Sequence, residues 1–204
     1  MTKNKDIKYD KLLIVDLEAT CWRGRPPKGM RQEIIEIGIV ALDLNTKEIS
    51  KEKGIIVKPT DSSISWFCTE LTSITKELIK KEGVSFEDSC KQLVNDYDSK
   101  NRAWGTWGKF DRTMFKKDCE HKKVDYPFSK NYIDLQKIFS NFVNSNNEEF
   151  SKREYGVKTA LGYLELQFEG TEHRGVDDAY NTARITVEMI DFLELSLKGD
   201  LKKA

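Results

Sequence analysis

The sequence predicts a single α/β domain built around one mixed β-sheet. Short apolar runs rich in β-branched residues, the pattern of buried strands, fall mostly in the first half of the chain, and helical periodicity dominates the second. No internal repeat and no linker divides the 204 residues, a length that one compact core can serve.

Residues 11–17 (KLLIVDL) read as the first strand and 33–42 (EIIEIGIVAL) as the second. Asn45 and Thr46 supply a turn, and 47–58 (KEISKEKGIIVK) read as a third strand, hairpin-paired and ended by Pro59. Residues 64–81 read as helix with a break. Ser85, followed by Glu87 and Asp88, marks a helix start, and that helix runs to about Tyr97. A fourth strand is expected at 102–107 (RAWGTW), ending at Gly105 or Gly108, with a helix over 111–121. Tyr132 to Leu135 fit a fifth short strand leading into a helix to about Val143. The polar stretch 144–154 reads as an exposed loop, and 157–166 and 175–196 as two closing helices. In the last of these Val176, Ala179, Tyr180, Ala183, Val187 and Ile190 recur at helical spacing.

Composition narrows the class. Hydrophobic residues make up 38% of the chain, too many for a disordered one. The charges balance at 34 basic and 34 acidic residues, so overall charge neither favours nor excludes a nucleic-acid partner. Cys21, Cys68, Cys90 and Cys119 are widely and irregularly spaced, which predicts reduced thiols rather than a zinc site or a disulfide framework. The N-terminus lacks the apolar segment of a secretory signal, and no run approaches the roughly 18 apolar residues of a membrane span. The expectation is a soluble, cytoplasmic protein with no membrane partner.

Three acidic pieces carry chemistry. Asp16 and Glu18 close the first strand, and residues i and i+2 of a strand share a face. Two carboxylates crowded together cost free energy unless something neutralises them, and hard oxygen ligands suit Mg²⁺ or Mn²⁺ better than zinc. Asp111, in WGTWGKFDRTMF, follows a glycine-bearing strand end and opens a helix. His173 and Asp178 stand five residues apart in HRGVDDAYNTARI. Five helical residues turn through about 500°, so His173 belongs in the loop before the helix and Asp178 in its first turns. Each piece alone has an ordinary structural reading: a turn or solvent-facing carboxylate, a helix N-terminal acid favoured by the dipole, a surface histidine. The other histidine, His121, sits in a charged stretch and reads as a solvated surface residue. The order of all three pieces is what is specific.

That order, and the wording around it, resembles the DEDDh 3′→5′ exonucleases, and within them the Eri-type subgroup of histone-mRNA 3′ exonucleases and KapD-like proteins. The similar stretches are VDLEATCW (15–22), EIIEIG (33–38), FCTELTSIT (67–75), WGKFDRTMF (107–115) and HRGVDDAYNTARI (173–185). The resemblance implies a ribonuclease H-like fold, with a five-stranded mixed sheet flanked by helices, over residues 10–195 between short tails. It implies that Asp16, Glu18, Asp111 and Asp178 bind two Mg²⁺ or Mn²⁺ ions and that His173 is the general base. The HxxxxD spacing selects Asp178 over Asp177, which is left to cap the helix or meet solvent. Ala19 and Thr20 match the segment whose backbone holds the terminal nucleotide. Leu71 and Ile74 match the wall on which terminal bases pack, and Ser73 stands where the family pattern has glycine.

The partner this implies is the 3′ end of single-stranded RNA or DNA, with RNA favoured, shortened to nucleoside 5′-monophosphates. Arg23, Arg25 and Lys28 are candidates for phosphate contact, and Trp22, Trp66 and Phe67 for base stacking. The alternative readings are a single-stranded DNA exonuclease and an inactive nucleic-acid-binding regulator on the same fold. Oligomeric state stays open.

Overall fold

The computed structural model describes residues 7–146 and 155–193. In chain order the elements are β1 (Lys8–Ala19), β2 (Ile34–Asp43), β3 (Ile49–Ile56), α1 (Trp66–Thr72), α2 (Lys76–Glu82), α3 (Phe86–Tyr97), β4 (Arg102–Thr106), α4 (Phe110–Lys122), β5 (Tyr132–Asp134), α5 (Leu135–Asn146), α6 (Val157–Tyr163) and α7 (Gly175–Glu188). The five strands form one mixed sheet in the order β3-β2-β1-β4-β5. The first three make an antiparallel meander, while β4 and β5 are parallel to β1.

Side-chain alternation along β1 sorts the core into two layers. Leu13, Val15 and Leu17 face a cluster with Phe86, Leu93, Trp104 and Phe115, on the side covered by α3 and α4. Leu12 and Ile14 face the opposite cluster with Leu135, Phe139, Ala179 and Ala183, on the side of α5 to α7. Each such side chain, at most 1% exposed in residues 12–15, contributes about 1.5–3 kcal/mol by leaving water. Asp16 and Glu18 continue the Leu12–Ile14 row, so β1 delivers both carboxylates to the face that α7 covers.

The contact between α7 and the sheet is backbone on backbone. A Cβ added at Gly38 of β2 would lie 1.9 Å from the carbonyl carbon and oxygen of Gly175, the first residue of α7. Nothing but hydrogen fits there, which explains a glycine inside an otherwise apolar strand.

Helix starts follow their caps. Ser65, Thr75 and Ser85 accept the amides of Cys68, Leu78 and Asp88 at the heads of α1, α2 and α3. The break expected within 64–81 is Ser73, which closes α1 in the left-handed region (φ 60°), where glycine is the residue most at ease. A buried ion network ties the β1–β2 loop to α4: Asp118 accepts Ile34 N at 3.0 Å and Arg31 Nη1 at 2.6 Å, and Lys122 pairs with Glu33 at 2.7 Å.

Some boundaries differ from the sequence expectation. β1 is longer at both ends. α5 continues to Asn146, into the expected loop, whose remainder lies outside the described residues. α6 ends at Tyr163, because Glu165 turns into the left-handed region (φ 58°). Leu164 and Leu166 still pack on the core from the following turn. α7 is interrupted at Met189, and 194–196 lie outside the described residues. All four cysteines are free thiols, and no helix among the described residues is long and apolar enough to cross a membrane.

Candidate active site

The acidic residues singled out in the sequence converge on one spot from three elements. Asp16 and Glu18 stand on the last turns of pleat of β1, opposite Gly38 and Glu36 of β2. Asp178 comes from the first turn of α7. One carboxylate oxygen from each of these three lies within 4.8 Å of the others, and all three residues are partly open to solvent. Asp111, in the first turn of α4 and only 5% exposed, accepts the amide of Leu17 at 3.2 Å, between the two β1 carboxylates in sequence.

Their electrostatics show four acids under strain. Burial, then the charges of Asp111, Asp178, Glu18 and Glu36, drive the Asp16 carboxyl well above the usual carboxylate range. Burial and the same neighbours lift Glu18 to about 8, against a lowering by Arg174. Burial lifts Asp111 to about 7 despite the Leu17 amide. Asp178 rises to about 6, again mainly through burial, opposed by the backbone N–H of His173. This is the signature of an anionic cage whose charge is meant to be balanced from outside. Its all-oxygen donor set and its spacing fit divalent cations of the hard, oxygen-seeking kind.

A stability consequence follows with a definite sign. A carboxyl whose folded pKa is raised holds its proton more tightly folded than unfolded, so stability is full below the unfolded value near 4 and is lost as pH climbs through the folded values of about 6 to 8. The metal-free protein should therefore melt lower at pH 8 than at pH 5.5. Mn²⁺ or Mg²⁺, which needs the ionised cage, should recover the loss. At about 100 times its Kd the ion adds roughly 2.7 kcal/mol, a rise in Tm of about 5–11 °C for this size. Thermal melts with metal or EDTA at both pH values check it; an equal metal shift at pH 5.5 and pH 8 would contradict the cage.

His173 is exposed and lies just ahead of α7, in the left-handed region (φ 60°). That conformation is rare for a non-glycine residue and costs about 1–2 kcal/mol. Asp177 does not cap α7; it is partly open to solvent, as expected, and accepts the amide of Thr171 at 2.8 Å, which braces the loop that leads to His173.

The expected nucleotide-binding residues are placed unequally. Ala19 is nearly buried, with its carbonyl facing the Cys68 thiol at 3.6 Å. Thr20 is fully buried. Its amide is spent on Glu33 O at 2.8 Å, and its hydroxyl on Arg31 O and Glu33 N. Leu71 is exposed at the end of α1, whereas Ile74 is 0% exposed in the cluster of Ile35, Ile56 and Cys68 and presents no surface to a base. Arg23, Arg25 and Lys28 are all exposed on the β1–β2 loop, and Trp66 is 68% exposed rather than packed in the core. His121 is surface-exposed but paired with Asp61 at 2.8 Å.

Two residues beside the cage had been given no role: Glu36 and Arg174. The available signal was a glutamate in the middle of the apolar strand 33–42, a position where a charge is tolerated only with a partner.

A family model described as "Exonuclease" matches residues 13–186. The 3′-5′ exoribonuclease 1 of Rattus norvegicus is 31% identical over 206 residues, covering 96% of this chain and 58% of the rat protein. Among solved structures, the nuclease domain of 3′hExo, described as a DEDDh family member bound to rAMP, aligns with a TM-score of 0.77 at 29% identity, over 92% of this chain and 94% of that one. A 3′-exonuclease solved for its 3′-end specific recognition of a histone mRNA stem-loop aligns with a TM-score of 0.76 at 29% identity, over 91% of this chain and 84% of that one. The chain spans little more than half the length of the first curated relatives it matches, at 58% and 54%.

Proposed function

We infer, from the premise that this chain belongs to the exonuclease family, that it is a metal-dependent 3′→5′ exonuclease acting on single-stranded RNA. The observation that carries the reading is the cage itself: Asp16, Glu18 and Asp178 within 4.8 Å of one another, with Asp111 bonded behind them. The RNA preference is supported by the rat relative and by the histone mRNA stem-loop recognised by one structural neighbour. We assign the catalytic domain to residues 10–195.

In this reading Asp16, Glu18, Asp111 and Asp178 would hold two ions, Mg²⁺ or Mn²⁺. When bound, such ions supply Lewis-acid activation of water and charge stabilisation at the phosphate being cleaved. The chain's own residues do the rest. His173 accepts a proton from the attacking water, a task an imidazole performs near neutral pH. The water oxygen bonds to phosphorus, the bond from phosphorus to the 3′-oxygen of the preceding nucleotide breaks, and a nucleoside 5′-monophosphate leaves.

Leu71 provides the apolar wall for the terminal base, while Ile74 packs in the core with Cys68 of α1. Thr20 shapes the turn after β1 rather than donating to the nucleotide, so the backbone contact falls to Ala19. The strand's upstream phosphates meet Arg23, Arg25 and Lys28, and a groove of ≈ 650 Å³ beyond Asp111, carrying Lys109, Lys137 and the 56% exposed Phe110, can take its bases.

The test is a gel assay on 5′-labelled single-stranded RNA and DNA with Mg²⁺, Mn²⁺ or EDTA. A ladder shortening from the 3′ end, absent with EDTA, is expected, with RNA consumed faster than DNA. Binding without cleavage under every metal would turn the reading to a regulator. His173→Ala should lower kcat roughly 10²- to 10⁴-fold while Mn²⁺ binding by calorimetry stays unchanged; a wild-type rate would remove His173 as the base.

A further inference from the structure

Glu36 is fully buried in β2, directly opposite Glu18, and its carboxylate accepts three N–H groups from the head of α7. Arg174 Nε donates to Oε2 at 3.1 Å and Nη2 to Oε1 at 3.0 Å, while the amide of Gly175 donates to Oε2 at 2.9 Å. Space for the carboxylate is left by Gly54 on β3, where an added Cβ would stand 2.5 Å from Oε1. Gly175 in turn rests against the sheet, its own hypothetical Cβ 3.1 Å from the carbonyl oxygen of Asp16. The cage carboxylate Asp178 follows three residues later, and His173 immediately precedes Arg174.

We propose that Glu36 and Arg174 are positioning residues: their paired fork fixes the first turn of α7 on the sheet and thereby sets where Asp178 and His173 stand relative to Asp16 and Glu18. The physical reasoning has three steps. A carboxylate buried in an apolar strand needs a cation and full hydrogen bonding, and both oxygens of Glu36 are taken by this one segment, which leaves it unsuited to be a further metal ligand. A guanidinium bound through two nitrogens is fixed in rotation as well as distance, which an ammonium is not. The third bond, to Gly175 N, seizes one of the free amides of the helix start, so the clamp acts on the helix backbone and not merely on a neighbouring side chain. Cage and clamp thus share one element, and the placement of Asp178 is inherited from Glu36.

This inference rests on the exonuclease reading, and its test separates the two. Glu36→Gln and Arg174→Lys are near-isosteric or conservative and leave all four cage carboxylates in the chain. In the metal-free protein, hydrogen exchange over residues 173–180 should quicken roughly tenfold in either variant while α3 and α4 exchange as in wild type. With Mn²⁺ and RNA, kcat should fall roughly 10- to 100-fold, with KM within about threefold of wild type. The double variant Glu36→Gln/Arg174→Lys should be no slower than the slower single one, because the pair works as a unit. Wild-type exchange and kcat in Glu36→Gln would overturn the proposal. So would a uniform rise in exchange with a matching fall in Tm, which marks an ordinary core residue. If the wild-type protein cleaves neither RNA nor DNA, the exonuclease reading fails, while exchange at α7 still decides whether the pair anchors the helix.

Discussion

Asp16→Asn should lower kcat on single-stranded RNA by roughly four orders of magnitude, about 5.4 kcal/mol of lost transition-state stabilisation, and yet make the metal-free protein more stable at pH 8. Asp16 is the carboxylate most opposed by its surroundings: burial raises it first, and four acidic neighbours add to that. Asparagine keeps its shape, removes one charge from the cage and brings an amide that can donate to the carboxylates left behind. In the proposed mechanism the same charge helps to hold the divalent ions. Stability and activity therefore move in opposite directions at this position, as expected where a site stores electrostatic strain for its function. The measurements are single-turnover cleavage and a thermal melt in EDTA, where a gain of 1 kcal/mol reads as about 2–4 °C. An active, metal-dependent Asp16→Asn enzyme would sink the site assignment; a lower metal-free Tm would refute the repulsion argument alone.

Gly38→Ala should be the most damaging added methyl group among the described glycines. The new Cβ would lie 1.9 Å from the Gly175 carbonyl, and the obstacle is backbone, which cannot step aside as a side-chain tip can. The expected destabilisation is about 3 kcal/mol, at the upper end of overpacking costs, or a fall in Tm of roughly 6–12 °C. Because α7 must lift off the sheet to make room, Asp178 leaves its partners, so the Tm gain on adding Mn²⁺ should shrink as well. Melts of Gly38→Ala with and without Mn²⁺ decide it. An unchanged Tm would mean that α7 rides on the sheet loosely, against everything its head contacts imply.

Much of this architecture was legible because its inner strands are branched and apolar, and because Ser65, Thr75 and Ser85 announce helix starts chemically. The sheet's mixed character was readable from strands giving way to helices, and the cage residues from their order and spacing. Less legible was whatever depends on distant partners. Glu36 looked like one acid in a motif because Arg174 lies 138 residues away. Ile74 looked like pocket surface because sequence similarity marks a neighbourhood, not which side of a residue is covered. Trp66, a stacking candidate in the sequence, is left outward because α1 buries Cys68 and Thr72 on its other side. The helix end at Tyr163 was missed because Leu164 and Leu166 continue the apolar pattern and pack on the core from the turn that follows.

The strand order has a consequence for how the protein is made. Strands β1 to β3 are a local meander that can pair as soon as they are synthesised, carrying Asp16 and Glu18 in place, whereas Asp111 awaits the parallel crossover to β4 and Asp178 awaits the last described element, docking on strands more than a hundred residues behind it. Contacts of such separation are slow to form. The nascent chain is thus without a complete cage until α7 docks, and that final step is the one in which the fourth carboxylate meets three others. A divalent ion would offset that repulsion, so the newly made protein is expected to mature faster with Mn²⁺ than with EDTA.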